Sequence, residues 1–454
     1  MQIRAFMRAS RPEESVLAGS NPMTMLTRFH NWMDDRAPGV DGMVRKHLTG
    51  YYAPKNFNLW YYFGTCNLLV LANQIVTGIF LAMNYRPTAA GAFDSVEYIM
   101  RDVEWGWLIR YMHSTGASLF FVTVFLHMFR GIMYGSFKRP RELVWILGVL
   151  IFVALMAEAF MGYVLPWGNM SFWGAKVIIS LFGTLPVIGS TMVEWIMGDY
   201  IPADATLNRF FALHVIAMPL ILLLLVVLHI LALHEVGSNN PDGVEIKKGP
   251  KGNRWDVLKP ADGIPFHPYY TVHDIFAGLF FLMIAAFIVF FTPTFGGWFL
   301  EHDNFIPANY LATPSHIKPV WYFTPFYAIL RMFPSFLGTA IWGVLAMFGA
   351  ILLLALLPWI DRGAVRSVRY RGVGFRIALG VLVCSFLGLG LVGSGVTAEV
   401  IPAWFPGADV TTWENAFGRL MVTGYFGFFA FLWIYTRFGL ERSKPVPGRV
   451  TVHS

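Results

Sequence analysis

Long apolar stretches broken by shorter polar ones make up most of this chain, and eight of them are long enough and poor enough in charge to cross a bilayer. They run approximately over residues 59–83, 110–133, 144–165, 210–233, 272–293, 336–359, 376–396 and 417–436. The predicted fold class is all-α: a polytopic membrane protein with eight transmembrane helices. The polar intervals give an orientation. Arg4, Arg8, Arg11, Arg28, Arg36, Arg45, Lys46 and Lys55 precede the first span, and further basic clusters lie at 138–141, 247–259, 362–371 and 437–449. The alternate intervals hold few: Arg86 and Arg101, then Lys176, then Lys318 and Arg331. Basic loops stay on the cytoplasmic side, so both termini are expected there. The first fifty residues lack the apolar core of a secretory signal. They read as a polar extension with a short surface helix around Thr24–Met33.

Composition agrees and narrows the chemistry. Of 454 residues, 56% are hydrophobic and 13% charged, far from the balance of a soluble protein. The net charge of +7 sits in loops on one side and is no nucleic-acid signature. Cys66 and Cys384, the only cysteines, both lie in spans. There is no C-x-x-C-H for covalent haem and no cysteine set for an iron–sulfur cluster. The loops carry no Walker or dinucleotide glycine motif.

Two spans carry paired histidines: His113 and His127, then His214 and His229. Fourteen residues turn a helix about 40° short of four turns and fifteen overshoot by about 60°, so each pair shares a face, ~21–22 Å apart along the axis. Ionisable residues at membrane depth point to function, and neutral imidazole binds iron without bringing charge into lipid. The reading is a bis-histidine set for two stacked haems. His113 and His214 would hold the outer one, and His127 and His229 the inner one. The alternative is four histidines hydrogen-bonded between helices. Pro219 bends the fourth span, which would absorb the extra residue of the second pair.

Other residues support this bundle. Gly64 and Gly78 in span one, and Gly148 and Gly162 in span three, repeat the fourteen-residue spacing and would give a flat macrocycle clearance; small-residue helix packing is the other explanation. Arg110, Arg130 and Arg209 lie near the histidines and suit haem propionates, or else snorkel to the headgroups. With Ser136 they are the polar candidates for cofactor contact. The chain divides into a polar extension (1–58), a four-helix di-haem bundle with its following cytoplasmic loop (59–270) and a C-terminal membrane module (271–454). The apolar, aromatic loops Gly168–Ile178 and Pro307–Phe333 flank the outer haem end, and loops this long usually carry function.

The chain resembles cytochrome b of the quinol–cytochrome c oxidoreductases from about Tyr51 to Thr436. The matching strings are Gln74–Gly78, Phe160-Met161-Gly162-Tyr163-Val164-Leu165-Pro166-Trp167-Gly168, His234–Pro241 and Asp303-Asn304-Phe305-Ile306-Pro307-Ala308-Asn309. Eight spans in one chain resembles the fused respiratory form, not the photosynthetic relative that splits these helices between two proteins. The resemblance implies the catalytic subunit of a quinol–cytochrome c reductase in a bacterial inner membrane, with two non-covalent b-type haems and ubiquinone. It implies a Rieske-type iron–sulfur protein and a c-type cytochrome as partners, a homodimer, and contact with lipid. On this resemblance quinol would be oxidised near the outer face, one electron leaving to the iron–sulfur protein and one crossing through the haems, and quinone would be reduced near the inner face. The outer site would use Phe160, Tyr163, Gly174, Ile178, Pro319, Tyr322 and Tyr327. The inner site would use His234, Ser238, Phe266 and Asp274.

Three departures stand out. The outer motif, usually Pro-Glu-Trp-Tyr, reads Pro319-Val320-Trp321-Tyr322 and lacks its carboxylate. His273 replaces a common Lys before Asp274, and the second histidine pair is spaced fifteen instead of fourteen. Glu158, the only acid within span three, is expected to take over the lost proton duty; a neutral Glu bonded to a neighbouring helix, or a pair with Lys176, is the alternative. The catalytic candidates are therefore Glu158, Tyr322, Tyr327, His234 and Asp274. A ferric-reductase-like protein would need a flavin and nicotinamide domain, and a histidine-lined transporter would bind no haem.

Overall fold

The computed structural model describes residues 25–40, 42, 50–246, 260–334 and 339–451. Thr24, where the predicted surface helix begins, lies outside the described residues. So do Arg4, Arg8, Arg11, Arg45, Lys46 and the basic residues of 247–259. The chain divides into two compact units, Met1–Tyr51 and Tyr52–Ser454. In the first, one helix runs over Met25–Arg36. The second holds, among the described residues, eight helices long and apolar enough to cross a membrane.

These spans are Leu59–Ala82, Gly106–Tyr134, Glu142–Val164, Asp204–Val236, Phe266–Phe291, Ile341–Ile360, Val373–Ser394 and Val410–Arg437. Their number and order match the apolar pattern, because in lipid only a helix satisfies every backbone group within one segment. Spans two, four and eight run further at both ends than the pattern suggested, whereas span six begins later, at Ile341. Span four departs from α-helix at one place, a π turn over Leu213–Ala217 that contains His214. A π turn accommodates one extra residue. Pro219 lacks the N–H that would bond to the carbonyl of Val215, which favours the wider turn here. Fifteen residues thereby do the work of fourteen, and His214 and His229 keep one face.

Span one packs along span two, and span three along span four. Span five lies against spans one and two, and spans six to eight form their own group, with span six touching span three. One hydrophobic core runs through both groups, from Phe121 and Phe152 through Tyr322 and Phe326 to Phe375, Tyr425 and Leu432. Polar bonds cross the same seam: Trp145 Nε1 donates to the Leu354 carbonyl (2.6 Å) and Lys138 pairs with Asp361 (2.7 Å). At the basic-loop end, fully buried Arg371 lies between Asp361 and Glu441, bonding Glu441 at 2.7 and 2.8 Å.

The two loops predicted to flank the first histidine pair are joined. Asn169 N–H donates to the Ile306 carbonyl (3.0 Å) and Ala308 N–H to that of Trp167 (3.0 Å). The stretch after Gly168, expected as loop, is a helix over Asn169–Ser180.

Candidate functional site

His113 and His214 face each other across the bundle with ring centroids 6.2 Å apart, and His127 faces His229 at 6.4 Å. A metal–imidazole bond is about 2.0 Å long, so two rings binding one iron from opposite faces stand about 6 Å apart centre to centre. Both pairs fit one iron each. The Thr77 hydroxyl donates to the Asn73 carbonyl (2.6 Å) and lies 2.9 Å from Nδ1 of His113. Nδ1 of His214 donates to the Glu158 carbonyl (3.0 Å). A hydrogen on Nδ1 leaves Nε2 free to ligate.

Each of the four glycines backs one of the four histidines. A Cβ built on Gly64 would stand 3.2 Å from Cε1 of His127, and one on Gly78 or Gly148 would stand 3.3 Å from Cε1 of His113 or His229. At Gly162 it would strike the His214 ring. The clearance predicted for a macrocycle thus serves the imidazole rings themselves.

Arg130 reaches the second pair, its Nη2 3.4 Å from Nδ1 of His127 and its Nη1 3.4 Å from the Ser136 hydroxyl. Its guanidinium stacks 4.6 Å over Tyr61 while its Nε is buried without a hydrogen-bond partner. That orphan donor suits a propionate. Arg110 is half-buried, with no side-chain hydrogen bond among the described residues. Arg209 is corrected: exposed, it donates to the Trp195 carbonyl and holds the surface helix Gly189–Met197 instead of reaching a histidine.

Glu158 does not face the expected quinol pocket. Its Oε1 lies 3.1 Å from Nδ1 of His214, and its Oε2 is buried without a partner. Lys176 sits over the Trp173 ring (4.8 Å). The acid beside Tyr163 is Glu301, buried at 8% exposure, which accepts hydrogen bonds from the Tyr163 hydroxyl and from Asn304 Nδ2 (3.1 Å). Burial is the larger influence on its carboxyl and pushes it up to about 7, against the opposing pull of Tyr163 and Lys318. Asn304 also accepts from Ser171 N–H (2.8 Å), and the Ser171 hydroxyl donates to the Tyr163 carbonyl (2.7 Å).

Tyr322 is buried and stacks on Phe121 at 3.9 Å. Gly174 faces Tyr163, a Cβ there standing 3.6 Å from the ring. Ile178 and Pro319 are half-buried. Phe160 turns to Phe210 (5.7 Å), and the Tyr327 hydroxyl donates to the Ile317 carbonyl (3.3 Å), so neither joins the Tyr163–Glu301 pair.

At the opposite end His234 and Ser238 are half-buried where span four stops, and Phe266 opens span five beside Tyr270 (5.9 Å). Asp274 faces Thr65 of span one, while His273 is exposed, its Nδ1 2.8 Å from the Tyr269 carbonyl.

The family model for Cytochrome b/b6/petB matches residues 48–237, and that for Cytochrome b(C-terminal)/b6/petD matches 307–408. The chain belongs to the cytochrome b family. It is 54% identical to the cytochrome b of Allochromatium vinosum over 93% of this chain and 98% of that one. It is 48% identical to the cytochrome b of Rhodospirillum rubrum over 92% and 94%. A chain of a solved structure described as a hyperthermophilic respiratory Complex III superposes with a TM-score of 0.76 at 36% identity, covering 90% of this chain and 98% of that chain.

For a cytochrome b, Glu301 is the residue that the sequence reading missed. It stands two positions before the Asp303–Asn309 string, at the head of the polar run Glu301-His302-Asp303-Asn304. Glu158 interrupts an apolar span, whereas a carboxylate in a polar run of a loop carries no comparable signal.

Proposed function

We propose that this cytochrome b is the di-haem subunit of a bacterial quinol–cytochrome c oxidoreductase, oxidising quinol at the His113–His214 end and reducing quinone at the His127–His229 end. The observation that carries it is the pair of facing imidazoles, 6.2 and 6.4 Å apart, each backed by a glycine. Bound haem supplies two one-electron centres between the two quinone sites. His113 and His214 would hold one and His127 and His229 the other, with Arg130 and Ser136 meeting the propionates of the second and Arg110 those of the first.

The quinol pocket is assigned to Tyr163, Gly174, Ile178, Pro319, Tyr322 and Glu301. Glu301 is the general base, because a carboxyl near 7 both accepts and releases a proton at neutral pH. Asn304 and Tyr163 orient it. At the other end Asp274 and His234 deliver protons to reduced quinone, with Ser238, Phe266 and exposed His273 around it. Residues 59–270 act as the haem bundle and 271–454 as the module that closes the quinol pocket. Both termini are cytoplasmic and the quinone is ubiquinone; a Rieske-type protein and a c-type cytochrome take the electron that leaves, in a homodimer bedded in lipid.

The test is a redox titration of the purified complex with subunit identification. Two b-type signals are expected, each lost with its own histidine pair. A His229→Ala complex that kept two normal signals would overturn the ligand assignment.

A further inference from the structure

The four histidines are not treated alike behind their rings. Nδ1 of His113 meets the neutral Thr77 hydroxyl at 2.9 Å, while Nδ1 of His127 lies 3.4 Å from the Arg130 guanidinium. Only His214, among the described residues, has a carboxylate at its back, Glu158 Oε1 at 3.1 Å. The π turn over Leu213–Ala217 carries His214 beside span three, so that both the carbonyl and the carboxylate of Glu158 stand against one ring nitrogen.

The second carboxylate oxygen gives an independent indication. Oε2 of Glu158 is buried with no hydrogen-bond partner, and Lys176 is occupied over Trp173. A carboxylate kept in a membrane span needs compensation. An iron ligated by His214 would supply a positive charge on the far side of the ring that Glu158 Oε1 meets. A carboxylate behind a ligating imidazole raises the basicity of that ligand and favours the more positive metal.

We infer that Glu158 is a positioning and tuning residue for the haem of the His113–His214 pair, holding His214 in place and lowering the reduction potential of that haem relative to the other. The inference rests on the haem reading above. Arg130, of opposite sign and at the other pair, acts in the opposite sense on His127.

The experiment is a potentiometric titration of both b haems in membranes containing the whole complex, comparing the parent chain with Glu158→Gln. At a fixed ambient potential the ferrous-to-ferric ratio of the first haem should rise about tenfold, an upward shift of about 59 mV for a one-electron couple, with the second haem unmoved. Glu158→Asp should retain the low potential. If Glu158→Gln does not assemble, Glu158→Thr provides the hydroxyl that His113 already has in Thr77, and the same rise is expected. An unmoved first haem, or equal shifts in both, would overturn the inference while leaving the haem reading intact. Absence of bis-histidine spectra in the parent complex would overturn the reading itself.

Discussion

The Tyr163 hydroxyl donates a hydrogen bond to the carboxylate of Glu301, joining the end of span three to the loop after span five. Glu301 is therefore expected to carry the proton that Val320 cannot. Glu301→Gln should slow quinol oxidation about a hundredfold, the low end of what a general base contributes, with both haem spectra unchanged. The parent rate should rise with pH as Glu301 ionises near 7, and that limb should flatten in the variant. Adding Val320→Glu to Glu301→Gln should recover part of the rate. Steady-state turnover between pH 5.5 and 9 (roughly, spanning both protonation states) decides it; an unchanged limb would remove Glu301 from the proton path.

The glycine–histidine pairings predict a graded series. Gly162→Ala should lose most of the His113–His214 haem, because its Cβ would strike the His214 ring. Gly64→Ala, Gly78→Ala and Gly148→Ala require the ring to yield only a few tenths of an ångström, the Cβ lying 3.2–3.3 Å from it, and should lose less. Reduced-minus-oxidised spectra of the four variants give the order directly.

At the opposite end, Asp274→Asn should slow reoxidation of the second haem by quinone while electron entry from quinol persists. His273 is exposed and adjacent, so His273→Lys should move the pH profile of that reaction, and an unchanged profile would remove His273 from it. Flash or stopped-flow kinetics of haem reoxidation separate the two ends.

Arg371→Ala should destabilise the assembled protein by about 3–5 kcal/mol, because it leaves Asp361 and Glu441 buried without their shared cation. Replacing Asp361 together with Arg371 should cost less than the sum of the two single changes. Thermal denaturation in detergent measures both.

The spans were legible in the sequence because lipid leaves helices no alternative, and the histidine pairs because their spacing returns each residue to one face. The π turn at His214 was foreshadowed by Pro219 and the fifteen-residue spacing, though its form was not. Three side chains point in directions that the sequence does not show. Glu158 lies near Tyr163 in sequence yet turns to His214, Arg209 turns outward to Trp195, and Phe160 turns to Phe210. Position along a helix gives the face only coarsely. Glu301 was missed because its role comes from a contact 138 residues distant in sequence.

Spans one to four and five to eight meet in one core, crossed by the Trp145–Leu354, Lys138–Asp361 and Trp321–Ser118 contacts. The peptide joining spans four and five therefore adds mainly effective concentration to an association that the surfaces already favour. Separately made pieces, residues 1–246 and 260–454, should find each other and co-purify with both haems. One polypeptide or two is a matter of gene arrangement that the packing itself leaves open.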